Sequence, residues 1–380
     1  MQEHVFTNCR LVLAEEVLEG SLVVRDGKIA QIDSGPSAVA AATDLEGDLL
    51  IPGLVELHTD NLERHLLPRP KAHWPAIAAV IAHDSQIASS GITTVYDAMS
   101  IGDIQSGSMR KKRLEDMTAA LREAKEHGVL KVDHILHFRC EVSDPAMQDM
   151  LEPLLQSPDL GLLSVMDHTP GQRQFVSEQT YRNYYQAKFN LTDSEMEAFI
   201  TARREDQKIH SKPNRDFVVE QARQRNVHLA SHDDATLDHV GEAVADGITI
   251  AEFPTTVVAA KASHEAGLAV MMGGPNLVRG GSHSGNVSAR DLAEQGVLDV
   301  ISSDYAPASL LHAAMLLADT VDGYDLPRAV ATVTKTPAEA SGLTDRGEIA
   351  QGKKADLLRV WGSALHPIIT GVWRGGERVA

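Results

Sequence analysis

Two cysteines in 380 residues, Cys9 and Cys140, give no basis for a disulfide framework, and a reducing cytoplasm is the expected location. Aromatic residues make up only 4% of the chain, so Val, Ile, Leu and Ala must fill its core. Parallel α/β proteins are commonly built that way. Positive charge is also short: 35 Lys and Arg stand against 53 Asp and Glu, a formal net charge of −18. That deficit argues against a nucleic-acid partner, which needs a basic face. It still admits a small anionic substrate, because local cations overrule global charge at a site. No apolar run approaches the roughly 20 residues that span a bilayer, so no membrane partner is expected. The opening Met1-Gln2-Glu3-His4-Val5 lacks a basic flank followed by an apolar stretch, and no signal peptide is expected.

What the chain does have is length, alternation and 17 histidines. Its length suits a barrel of roughly 250 residues with an appendage. The middle alternates apolar strand runs with helical patterns, the mark of a parallel α/β domain. Eight strands are expected, over 50–58, 93–97, 132–141, 160–168, 227–232, 248–253, 268–272 and 299–304. Helices are expected over 110–127, 213–225 (with Pro213 in its first turn), 236–246, 256–266 and 310–320. Both ends read as short strands joined by turns, with the hairpin signal Asp26-Gly27 near one end and Gly375-Gly376 near the other. The expected fold is therefore α/β: a (β/α)8 TIM-like barrel over 51–344, with a small composite β-sandwich domain from 1–50 and 345–380. An insertion at 177–208, carrying Tyr181, Tyr184 and Tyr185, reads as a helical excursion over the barrel mouth, either a lid or a solvated hairpin.

In a barrel of this kind the chemistry sits where the strands end, and polar, metal-competent residues fall there repeatedly. The first strand ends in His58-Thr59-Asp60, the third in Arg139-Cys140-Glu141 and the fourth in Asp167-His168. The fifth ends in Ser231-His232-Asp233-Asp234, the sixth carries Glu252, and the eighth ends in Ser302-Ser303-Asp304. Side chains two apart on a strand share a face, so His58 and Asp60 are able to share one ion. Imidazole with carboxylate suits Zn, Mn or Fe better than an all-oxygen calcium site. Asp304 is the candidate for moving the proton of an activated water. The glycine-rich stretch from Gly273 through Asn286, with Arg279, Ser282 and His283, follows the seventh strand, where barrels often bind phosphate. Arg139 should face the same interior as Glu141. Arg69, Lys71 and Arg173 lie in loops and read as solvated surface charges.

The run Pro52 to Asn61 resembles the first-strand signature of the amidohydrolase superfamily, with Asp60 in place of the more usual second histidine. Longer runs are similar to its phosphonate-degrading branch in the carbon–phosphorus lyase pathway. They include Pro68-Arg69-Pro70-Lys71, the ten residues from Met166 to Phe175, the run from Ala230 to Thr236, the eight from Arg279 to Asn286 and Ser302 to Tyr305. The resemblance covers essentially the whole chain. It implies hydrolysis of α-D-ribose 1-methylphosphonate 5-triphosphate to the corresponding 5-phosphate and diphosphate, by metal-activated water. It implies one or two divalent metals, zinc first, held by His58, Asp60, Glu141, His168, His232 and Asp304, with Glu252 in reserve. Asn61, Arg139, Arg279, Ser282 and His283 are the expected substrate contacts, and a homo-oligomer is the expected assembly. Two other readings stand beside it. A deacetylase, deaminase or cyclic-amide hydrolase would share the metal centre but need fewer cations in its pocket. An assembly subunit that has lost its chemistry would lack ligands.

Overall fold

The structure, a computed structural model, describes residues 3–69, 72–102, 110–175, 177–282, 285–363 and 365–380. Its contacts gather the chain into two compact units. One comprises Met1–Asp97, Met117–Ile135 and Met272–Ala380; the other comprises Ala98–Asp116 and Leu136–Met271.

In the first unit both ends of the chain build one sheet. Its strands run in the order Glu377–Arg378, His366–Arg374, Leu357–Ser363, Leu49–Pro52, Glu3–Val12, Val17–Arg25 and Lys28–Ser34, and Thr43–Asp44 lies parallel beside Glu3–Val12. The hairpin between Val17–Arg25 and Lys28–Ser34 turns on Asp26 and Gly27. Both hold positive φ, 49° and 77°, as a tight two-residue hairpin demands. Phe6, Leu11, Leu22, Ile29, Leu50, Leu357 and Trp373 share one buried core, so residues some 370 positions apart in the chain depend on each other for burial.

The second sheet is a nearly closed parallel barrel of eight strands arranged in chain order. They are Leu54–Thr59, Ile92–Ile101, Asp133–Glu141, Leu160–Met166, His228–His232, Ile250–Glu252, Ala269–Gly273 and Val300–Ser302. Each overlaps one of the eight strands expected from the sequence. A parallel bridge between Thr59 and Asp304 joins the end of the first strand to the end of the eighth. Helices between the strands begin where a hydroxyl satisfies an orphan amide. Thr236 caps Leu237–Ala245 by accepting from His239 N, and Thr256 caps Val257–Glu265 by accepting from Ala259 N. No helix among the described residues is long and apolar enough to cross a membrane.

Two expectations are corrected. Where one strand is expected over 50–58, the chain makes two, Leu49–Pro52 in the terminal sheet and Leu54–Thr59 in the barrel. Gly53 is the break: a Cβ there would overlap the Thr93 side chain, so only glycine lets the second strand approach. Where Pro213 is expected to open a helix, it lies inside the 33-residue helix Asp193–Arg225. The start is fixed earlier, by a capping box in which Thr192 and Glu195 bond reciprocally. The carbonyl that Pro213 leaves without its usual donor belongs to Ile209, an exposed residue. The 177–208 segment is helical. Glu178–Phe189 packs on the start of the long helix through Tyr181, Tyr185, Met196 and Ile200, a small core of its own.

Gly53→Ala is expected to lower unfolding stability by about 2 kcal/mol, the scale of overpacking a filled site. Urea denaturation measures it, and an unchanged midpoint would contradict the close approach to Thr93.

Candidate metal centre and its supports

Alternation along Leu54–Thr59 sends Glu56 and His58 to one side, and every residue of that strand is buried. Glu56 is fully buried, with Oε1 accepting His58 N at 2.6 Å and Oε2 accepting Ser303 N at 2.5 Å. Ser302 Oγ sits 2.7 Å from Glu56 Oε1 and 2.6 Å from the carbonyl of His58. Asp304 N donates to the same carbonyl at 3.1 Å, and Thr59 Oγ1 donates to Asp304 O at 2.7 Å. These bonds hold Asp304 in a left-handed conformation, φ 53°, beside the first strand. Burial pushes the Glu56 carboxyl up to about 7, against the pull of its hydroxyl and amide donors. Asp60 follows directly, and its Oδ1 is buried with no hydrogen-bond partner among the described residues.

Within the same unit Asn61 is 2% exposed. Its amide nitrogen lies 3.0 Å from both His83 Nδ1 and Gln86 Oε1. Behind it runs a buried line of titratable side chains. His83 Nε2 is 2.7 Å from Asp97 Oδ1, His134 Nδ1 is 2.7 Å from Asp97 Oδ2, and His134 Nε2 is 3.3 Å from Asp84 Oδ1. Asp84 Oδ1 also accepts Lys131 N and Val132 N. Burial works against charge on His134, but the Asp97 and Asp84 carboxylates overcome it and raise that imidazole to about 9. Arg279 is exposed, its Nη1 3.4 Å from Tyr305 Oη, while Arg64 Nη1 donates to Tyr305 O at 2.7 Å. Ser282 Oγ accepts Asn286 N at 3.3 Å. His283 and Lys71 lie outside the described residues.

In the second unit the third, fourth and fifth strands bring the expected ligands together. Glu141 is buried, with Oε2 2.6 Å from His168 Nδ1 and Oε1 accepting Ser143 Oγ at 2.7 Å and His168 N at 3.1 Å. Burial opposes both charges of this pair, and their mutual attraction outweighs it, so Glu141 is held below and His168 above its ordinary value. His232 Nδ1 donates to Glu252 Oε2 at 2.7 Å. That fixes the tautomer and leaves the Nε2 lone pair as an acceptor. Arg139 Nη2 donates to it at 3.2 Å, so a cation already stands on that lone pair. Ligating atoms of His168, His232 and Asp233 lie within 4.8 Å of one another. Asp233 holds φ 61°, and its Oδ2 is a second buried carboxylate oxygen with no hydrogen-bond partner among the described residues.

The support beneath this group corrects the reading of Arg173 as a solvated charge. Arg173 is buried and pairs with Asp234, while its guanidinium also reaches Ser231 Oγ at 3.2 Å and Glu242 Oε2 at 3.1 Å. A buried charge needs such a partner. The pair ties the loop after His168 to the one after His232. Arg69, by contrast, is exposed.

Sequence reasoning missed three participants. Asp233, the carboxylate between the two histidines, was visible in the run Ser231 to Asp234 but hidden behind its neighbour. Glu56 was signalled by its place two residues before His58. The line from Asp84 through His134 and Asp97 to His83 had no local signal, because its members are scattered along the chain.

The model of the amidohydrolase family matches residues 186–379. The chain is 48% identical over 376 residues to the α-D-ribose 1-methylphosphonate 5-triphosphate diphosphatase of Escherichia coli strain K12, covering 99% of this chain and 100% of that protein. Among solved structures, it resembles 5-methylcytosine deaminase from Klebsiella pneumoniae with a TM-score of 0.66 at 15% identity, over 99% of this chain and 98% of that one. It resembles N-acetyl-D-glucosamine-6-phosphate deacetylase from Mycobacterium smegmatis with a TM-score of 0.65 at 16% identity, over 100% of each chain. At such identities the structural likenesses speak for the fold alone.

The buried His134 imidazolium gives a pH test. Its raised value means that its contribution to stability is complete below 6.5 and is lost as pH rises through about 9. Unfolding free energies of the protein and of His134→Gln should therefore converge over that window. A difference that stays constant across it would contradict the charged form.

Proposed function

The chain belongs to the amidohydrolase family, and on that footing we propose that it hydrolyses α-D-ribose 1-methylphosphonate 5-triphosphate to α-D-ribose 1-methylphosphonate 5-phosphate and diphosphate. The observation that carries this reading is the near full-length 48% identity to a diphosphatase of that specificity. Other amidohydrolase activities, such as deacetylation, deamination or cyclic-amide hydrolysis, are less favoured: the deaminase and deacetylase structures support the fold alone, and a 32% identical match to the L-hydantoinase of Paenarthrobacter aurescens covers only 18% of this chain.

The residues fit a divalent metal. Buried carboxylate oxygens without hydrogen-bond partners, Asp60 Oδ1 and Asp233 Oδ2, are costly unless a cation meets them. The Nε2 lone pair of His232 already faces a guanidinium. We assign His58, Asp60 and Asp304 in the first unit, and Glu141, His168 and His232 in the second, as ligands. Glu252 acts by orienting His232 through its Nδ1–H. Imidazole with carboxylate makes zinc the first choice, with manganese or iron acceptable to the same donors. When bound, the metal lowers the pKa of water towards neutrality and supplies positive charge for phosphoryl oxygens.

The chain's own residues do the rest. Water attacks the α-phosphorus, the α–β anhydride bond breaks, and diphosphate leaves with the bridging oxygen. Asp304 takes the proton of the attacking water, a role suited to a carboxylate held rigidly at a strand end. Arg139 and Arg279 stabilise the growing negative charge on the leaving group, and the amide groups around Ser282 and His283 assist. Asn61 fixes the turn beside Asp60. The substrate is a small molecule, so neither nucleic acid nor membrane enters the reading. The working form is taken to be a cytoplasmic homo-oligomer.

Metal-loaded protein should release diphosphate from the ribosyl triphosphate, lose activity to a chelator and regain it with zinc. Asp304→Asn should lower kcat by about a thousandfold, the scale of losing general-base catalysis. Release of orthophosphate alone would contradict the reading.

A further inference from the structure

The buried line behind Asn61 is not used by the proposed chemistry, yet it places His83, Asp84, Asp97 and His134 at or below 6% exposure. Such groups are costly to bury unless every polar atom is satisfied. Counting protons along the line fixes the state of each member. Carboxylates only accept, so His134, with Nδ1 on Asp97 and Nε2 on Asp84, carries both ring protons. Asp97 takes a further proton-bearing nitrogen from His83 Nε2. Burial holds His83 below its ordinary value, so the ring is neutral with its one proton on Nε2, and its bare Nδ1 accepts from Asn61 Nδ2. Gln86 Oε1 takes the other amide hydrogen, so the Asn61 side chain has one allowed orientation. The line is anchored on the main chain, since Asp84 accepts from Lys131 N and Val132 N.

We propose that His83 is a positioning residue for the reaction: through its bare Nδ1 it locks the Asn61 amide, and with it the turn that presents Asp60. The proposal rests on the reading of Asp60 as a metal ligand. The rival is a second metal in the His83–Asp97–His134 triplet, whose ligating atoms lie within 4.8 Å of one another. The proton count disfavours it, because a doubly protonated His134 has no lone pair to give.

Two variants separate the ends of the His83 ring. His83→Asn keeps an acceptor near the Nδ1 position for Asn61 and loses the donor to Asp97. His83→Gln keeps a donor near the Nε2 position for Asp97 and loses the acceptor for Asn61. With both melting points measured, diphosphate release by His83→Gln is expected to fall about tenfold or more in kcat with little change in KM, the scale set by small misplacements. His83→Asn should stay within about threefold of the parent chain, well inside the tenfold that each 1.4 kcal/mol represents. Rates that follow the melting points in both variants, or that are equal in both, would overturn the proposal, as would an extra zinc equivalent bound by the parent chain and absent from both. A parent chain that releases no diphosphate would sink the functional reading alone. The positioning role would then stand or fall on zinc affinity, which should be weaker in His83→Gln than in His83→Asn.

Discussion

The carboxylate of Glu56 sits fully buried where the first barrel strand meets the end of the eighth, and it takes two main-chain amides and shares a serine hydroxyl. Hydrogen bonds to a charged group contribute about 1.5–3 kcal/mol each, and these donors offset only part of the penalty of burying the charge, since the carboxyl still lies up at about 7. The same bonds determine where the neighbouring groups stand. Ser302 and Asp304 both reach the carbonyl of His58, and Thr59 reaches the carbonyl of Asp304. The left-handed backbone of Asp304 is held by that set. Without Glu56, His58 N and Ser303 N would lose the acceptor they share across this seam.

The second unit solves the same problem with an ion pair. Arg173 and Asp234 are both buried, and together with Ser231 they fix the loops that follow His168 and His232. Asp233 and Phe253 turn left-handed just past their strands, as Asp304 does in the first unit. Left-handed residues other than glycine are uncommon and persist when their surroundings over-determine them. Asp304 itself has a proposed part in the chemistry, and Asp233 and Phe253 directly follow His232 and Glu252, which also do. Glu141 and Glu252 then take the Nδ1 side of His168 and His232, leaving the opposite nitrogen of each ring towards Asp233.

Much of this was legible in the sequence. Buried parallel strands read as apolar runs ending in polar residues, so all eight overlap their expected positions, and the ligand candidates emerged from where those runs stop. Glu141 and His232 each close a strand, and His168 follows two residues after Met166, the end of the strand that pairs with both of theirs. The failures have local causes. The break at Gly53 depends on the approach of Thr93, a contact 40 positions away, and Pro213 sits inside a helix at a turn whose residue Ile209 is exposed. Arg173 looks like any loop arginine until Asp234 is placed opposite it. The Asp84–His134–Asp97–His83 line is tertiary throughout: no spacing in the sequence shows that two imidazoles share one carboxylate.

The proposed reaction depends on water attacking the α-phosphorus. Hydrolysis in water enriched in heavy oxygen, followed by mass spectrometry of both products, tests it directly. Attack at the α-phosphorus puts the label in the ribosyl 5-phosphate and none in the diphosphate; label in the diphosphate would contradict it.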